Sequence, residues 1–202
     1  MKEIGQKFSH WLFCGFMSGV FPVLFFLIGW WGSIGRVAED KIFLVAFAGM
    51  LWGILLNYLV LKRILSHLYS LPLWLMSIIY IFYAICIYGF FMGFPLFNVF
   101  LGIPAGLYMG IRFQGKQKNT VRLEKIVTSI FTCLVLFVLC TTTAILALGE
   151  KTLGSQLQSM FNLPFMVTRP TIISIILIGG IGLVAGQYFL TGYYFTKANT
   201  QN

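Results

Sequence analysis

The residues able to do chemistry inside this chain are few and uncharged. Asn98, Tyr88 and the run Thr141-Thr142-Thr143 are polar side chains set within long apolar stretches, and Pro104 breaks the backbone of one of them. Amides and hydroxyls in such surroundings exchange hydrogen bonds with a solute or with a neighbouring helix. Acid–base catalysis needs a titratable group, yet no Asp, Glu, Lys or Arg lies deep in an apolar stretch, and His10 and His67 stand near stretch ends. There is no His-Glu-x-x-His and no Walker A sequence. Phe16-Met-Ser18-Gly19 lacks the leading glycine of the intramembrane serine signature. These absences point away from an enzyme, with no catalytic residue, metal site or cofactor expected.

Depth groups the polar positions. Asn98 falls about 6 Å inside one end of its stretch, counting four residues at helical rise. Tyr88 and Thr141–Thr143 lie at similar distances from the same side, so the five, with Pro104, are expected to line one substrate path. Asn57, Gln187 and Tyr108 stand at comparable depth from the other side.

The elements that must carry these residues follow from composition. Of 202 residues, 59% are hydrophobic and 9% charged, with a mean hydropathy of +0.90. Soluble domains run near a quarter charged, so the chain reads as an all-α, polytopic membrane protein forming one membrane domain. Six spans are expected, at about 11–31, 42–61, 71–91, 94–111, 126–148 and 171–195. The uncharged run from Leu71 to Ile111 is too long for one crossing, and Gly89, Gly93 and Pro95 mark its turn. The outer loop 149–170 carries Leu153, Leu157, Met160 and Phe161 at helical spacing, which fits a short interfacial helix.

Charge sets the orientation. With the amino terminus inside, ten basic residues fall on inner segments: Lys2, Lys7, Lys62, Arg63, Arg112, Lys116, Lys118, Arg122, Lys125 and Lys197. Four fall outside: Arg36, Lys41, Lys151 and Arg169. That bias is expected of six spans with both termini cytoplasmic. The net charge of +9 is explained by topology and anionic headgroups, and nucleic acid is not the expected partner. Arg112, Lys116, Lys118, Arg122 and Lys125 make the densest basic loop, a candidate site for an anionic lipid or a cytoplasmic protein. Cys14, Cys86, Cys133 and Cys140 all fall in apolar stretches and read as reduced core residues.

Glycines four apart recur as Gly15/Gly19, Gly49/Gly53, Gly89/Gly93, Gly102/Gly106, Gly106/Gly110 and Gly182/Gly186. Such strips let helix backbones approach closely. The fourth span holds Pro95, Asn98, Pro104, three of these glycines and a terminal Arg112. Pro104 leaves the carbonyl of Phe100 without its donor, so a kink near mid-depth is expected. Discontinuous helices of this kind are where many transporters hold substrate.

In size and helix count the chain is similar to the substrate-binding membrane subunits of energy-coupling-factor vitamin transporters, with no shared motif. The expected function is a small transporter, or a transporter subunit joined by an energising partner, for an uncharged or weakly polar solute in the plasma membrane. The alternative is a non-catalytic scaffold or assembly factor that docks through loop 112–125. A transporter requires a polar cavity reaching Asn98, whereas a scaffold requires solidly packed spans with all the glycine strips consumed by helix contacts. The sequence fixes no oligomeric state.

Overall fold

With no water to satisfy the backbone in a bilayer, apolar stretches of this length must be helical, and they are. The structure is a computed structural model that describes residues 2–150, 152–160, 162, 164 and 166–200, and the side chains of these except 2–10, 61–65, 157 and 160. Lys151 and Phe161, two positions of the expected outer loop, lie outside the described residues. The helices are α1 (Lys2–Ser33), α2 (Glu39–Ser66), α3 (Leu73–Phe90), α4 (Gly102–Arg112), α5 (Lys118–Gly149), α6 (Leu153–Met160) and α7 (Arg169–Asn199). Short 3₁₀ segments cover Leu68–Ser70 and Pro95–Leu101, and no strand occurs among the described residues. Five helices, α1, α2, α3, α5 and α7, are long and apolar enough to cross a membrane.

Burial is inverted relative to a soluble protein. Leu44, Phe189 and Ile178 are exposed, whereas Gln187, Thr132 and Thr191 are 0% exposed. Apolar side chains also fill much of the interior, Phe195, Ala46 and Leu136 among them, and an apolar exterior with some polar side chains turned inward is the arrangement a lipid solvent favours.

The chain forms two compact units, 1–73 and 74–202. In the first, α1 and α2 pack along a glycine seam. A Cβ at Gly49 would strike the carbonyl oxygen of Phe25, and one at Gly53 would meet Phe21 and Pro22 backbone atoms. Arg36 folds back so that its Nη1 donates to the Gly32 carbonyl at 2.9 Å, satisfying one open acceptor at the end of α1.

In the second unit α7 packs against α4 and α5. Helix α3 ends in a Schellman turn. The Gly93 N–H donates to the Tyr88 carbonyl, the Met92 N–H donates to that of Gly89, and Met92 and Gly93 take φ of 53° and 81°. Pro95 then opens the 3₁₀ segment, where its missing N–H costs nothing.

The fourth apolar stretch is not the single kinked helix expected over 94–111. It is a 3₁₀ segment followed by an α-helix that begins at Gly102. Pro104 therefore sits in the first turn of α4, where backbone N–H groups have no intrahelical acceptor. It starts a helix instead of bending one.

Candidate functional site

The polar residues of the second unit meet where the 3₁₀ segment passes into α4. Gln187 reaches this junction from α7. In the amide orientation that satisfies both its atoms, Nε2 donates to the Val99 carbonyl at 2.7 Å. Its oxygen accepts from the Tyr80 hydroxyl at 3.0 Å and from the Gly102 N–H at 3.3 Å. Gln187 thus binds both halves of the broken element and ties them to α3. One turn along α7, the Thr191 and Thr132 hydroxyl oxygens lie 3.1 Å apart, and Thr132 Oγ1 also lies 3.0 Å from the Ser129 carbonyl.

Close packing makes these contacts possible. A Cβ at Gly106 would collide with the Thr191 carbonyl oxygen, and one at Gly110 with that of Phe195. A Cβ at Gly102 would come within 2.6 Å of the Thr191 hydroxyl. Gly106 and Gly110 seat α4 on the backbone of α7, and Gly102 makes room for the Thr191 and Gln187 side chains.

The expected path residues separate into three environments. Asn98 is 2% exposed, and its Nδ2 donates to the Ala84 carbonyl at 2.7 Å, while its Oδ1 has no partner. Tyr88 and Thr143 do come together: Thr143 Oγ1 lies 3.2 Å from the Tyr88 hydroxyl and 2.7 Å from the Gly93 carbonyl. Thr141 and Thr142 are exposed, and their hydroxyls donate to the carbonyls of Phe137 and Val138 in their own helix. Pro104 is half-buried. Among the expected packing glycines, Gly15, Gly182 and Gly186 face open space, with no described atom within 4 Å of a Cβ placed there.

The basic loop is built differently. Arg112 Nη1 donates to the Tyr108 hydroxyl at 3.0 Å, and Lys125 is half-buried beside Gly192. Lys116, Lys118 and Arg122 are exposed. One hydrogen bond fixes the turn 113–117 to the end of α7, Gln114 Nε2 to the Ala198 carbonyl at 2.6 Å, and a second, Asn199 Nδ2 to the Gly110 carbonyl at 3.2 Å, ties the end of α4 to α7. All four cysteines are free thiols, and no group of three potential metal ligands occurs among the described residues.

Tyr80, Ser129, Thr132 and Thr191 were not among the expected site residues, and Gln187 was placed only by depth. Their signal was present in the sequence. Thr128, Ser129 and Thr132 on α5, and Gln187 and Thr191 on α7, are polar residues at helical spacing within apolar spans. In a membrane helix such a face turns inward.

Comparison of the chain with protein-family models, with curated proteins and with solved structures gives no match.

Proposed function

We propose that the chain is a non-catalytic membrane scaffold or assembly factor. The segment from Arg112 to Lys125, which is the turn 113–117 with the adjoining ends of α4 and α5 and not the loop expected over 112–125, presents a basic platform to an acidic cytoplasmic protein. The observation that carries this reading is the Gln114 bond that holds the turn 113–117 to the end of α7, with Lys116 exposed on that turn and Lys118 and Arg122 exposed on the first turns of α5. A pre-ordered cluster of cations loses less entropy on docking than a floppy one. Glu124 is the only acidic residue between Arg112 and Lys125. Asn98 is sealed at 2% exposure and the strip Gly102/Gly106/Gly110 is consumed by contact with α7, which fits this reading, whereas the open Gly15, Gly182 and Gly186 do not.

On this reading the broken fourth element is a sixth crossing. Seven 3₁₀ residues followed by eleven α-helical ones extend about 30 Å end to end, enough for the hydrocarbon core. Both termini and the basic platform then face the cytoplasm of the cell membrane, in line with the ten-to-four charge bias.

One observation favours a second reading, transport of a weakly polar solute. Asn98 Oδ1 is a buried acceptor without a donor, beside a broken helix. Two assays on the full chain separate the readings. A photo-crosslinker at Gly115 should capture one recurrent cytoplasmic protein, and K116E/K118E/R122E should abolish that capture. Proteoliposomes should pass small uncharged solutes no faster than protein-free vesicles. Flux above that background, lost in Asn98→Leu, would establish the transport reading and defeat the scaffold.

A further inference from the structure

The outward side of the second unit holds a groove between α5 and α7 that the docking reading does not use. Its volume is about 810 Å³, and residues such as Ile130, Leu134, Phe137, Ala144, Gly180 and Tyr188 line it. The lining carries no charged side chain. Two of its polar groups are engaged with backbone: the Thr141 hydroxyl donates to the Phe137 carbonyl at 2.9 Å, and the Cys133 thiol donates to that of Val184 at 3.4 Å.

Shape and charge identify the occupant. Along α5 the lining runs from Ile130 to Ala144, about 21 Å at helical rise. The Cys133–Val184 contact joins the two walls within the lined stretch. An uncharged apolar lining over that length suits the hydrocarbon chain of a lipid. At the other end Arg169 bridges the walls, its Nη2 donating to the Leu148 carbonyl at 3.0 Å. Leu148 lies one turn beyond Ala144, on the same face of α5. A guanidinium has five N–H donors, and only one is used in this bond, leaving a fork suited to a phosphate. Glu150, the nearest acidic residue in sequence, accepts from the Thr152 hydroxyl at 2.6 Å.

We infer that this groove is a phospholipid site, holding one acyl chain between α5 and α7 with the lipid phosphate against Arg169. It is independent of the docking reading.

Gly180 supplies the test. It lines the groove, and a Cβ there meets no described atom within 4 Å, so a large side chain can enter the space without striking the helices. The full chain would be purified in mild detergent with a natural phospholipid mixture and examined by native mass spectrometry. The wild type should retain one phospholipid, Gly180→Phe should lose it, and Arg169→Gln should retain at least tenfold less. Gly182→Phe, on the same helix but off the groove, should retain it. Equal retention by all four proteins, or equal loss from Gly180→Phe and Gly182→Phe, would mean adventitious annular lipid only and overturn the site. A fluorophore on Cys140, with the other cysteines replaced, gives a second measurement that needs no bulky substitution. Brominated acyl chains should quench it in a saturable way, and quenching strictly proportional to bulk lipid would overturn the proposal.

Discussion

Substituting Gly106 by alanine sets two opposite effects against each other, and the structure decides the sign. Alanine is favoured over glycine in a helix interior by roughly 1 kcal/mol. The added methyl, however, would be driven into the carbonyl oxygen of Thr191 and would lie 3.0 Å from the Phe195 nitrogen. Both are backbone atoms of α7, so relief requires the helices to part. Overpacking of this kind costs about 1–3 kcal/mol. Parting them also stretches the Gln187 bonds to Val99 and Gly102, each worth about 0.6 kcal/mol in a membrane interior. The net expectation for Gly106→Ala is a loss of about 1–2 kcal/mol. Gly182→Ala is the matched control. No described atom lies within 4 Å of its Cβ position, so only the propensity gain acts, and stability should hold or rise by up to about 1 kcal/mol. Reversible unfolding by SDS in mixed micelles, followed by tryptophan fluorescence, reads both values. Equal shifts for the two variants would refute the direct seating of α4 on α7.

Other substitutions probe the polar core and the platform. Tyr80→Phe and Gln187→Leu, combined in a double-mutant cycle, should show a coupling of about 0.6–1.7 kcal/mol; zero coupling would mean the bond does not form. Thr143→Val should cost about 1 kcal/mol because contacts with Tyr88 and Gly93 outside its own helix are lost along with that to Leu139, whereas Thr141→Val and Thr142→Val, which lose only a bond within their own helix, should stay within about 0.5 kcal/mol of wild type. Similar losses at all three positions would contradict their separation. Gln114→Ala removes one anchor of the basic loop, worth about 1 kcal/mol. Amide exchange at 113–117 should then quicken roughly fivefold, and unchanged exchange would show that the anchor does not hold the loop.

Much of this architecture could be read from the chain because a bilayer allows so few solutions. Uncharged runs of the right length had to be helices, and Gly89, Gly93 and Pro95 had to mark a turn, since proline cannot continue a helix interior. The strip Gly102/Gly106/Gly110 announced a close helix contact. Its partner on α7 was not legible, because Gly106 and Gly110 meet Thr191 and Phe195 chiefly through backbone atoms that any sequence would supply, and only Gly102 meets polar side chains, those of Thr191 and Gln187. Gly182 and Gly186 carry the same spacing and face open space, so spacing alone does not say which strips are used. Pro104 misled for a related reason. A missing N–H bends a helix interior but suits a helix start, and only the 3₁₀ segment before it decides which applies. Depth correctly brought Tyr88 to Thr143, yet it could not give the rotation of α5, which turns Thr141 and Thr142 outward.

The account rests most directly on the broken fourth element crossing the membrane. Single cysteines at Met92, Gly115 and Thr152, in a chain whose four native cysteines are replaced, can be labelled in intact cells with a membrane-impermeant maleimide. Positions 92 and 152 should label from outside, and position 115 only after the cells are opened. Labelling of 92 and 115 from the same side would contradict a sixth crossing and, with it, a cytoplasmic platform sharing a side with both termini.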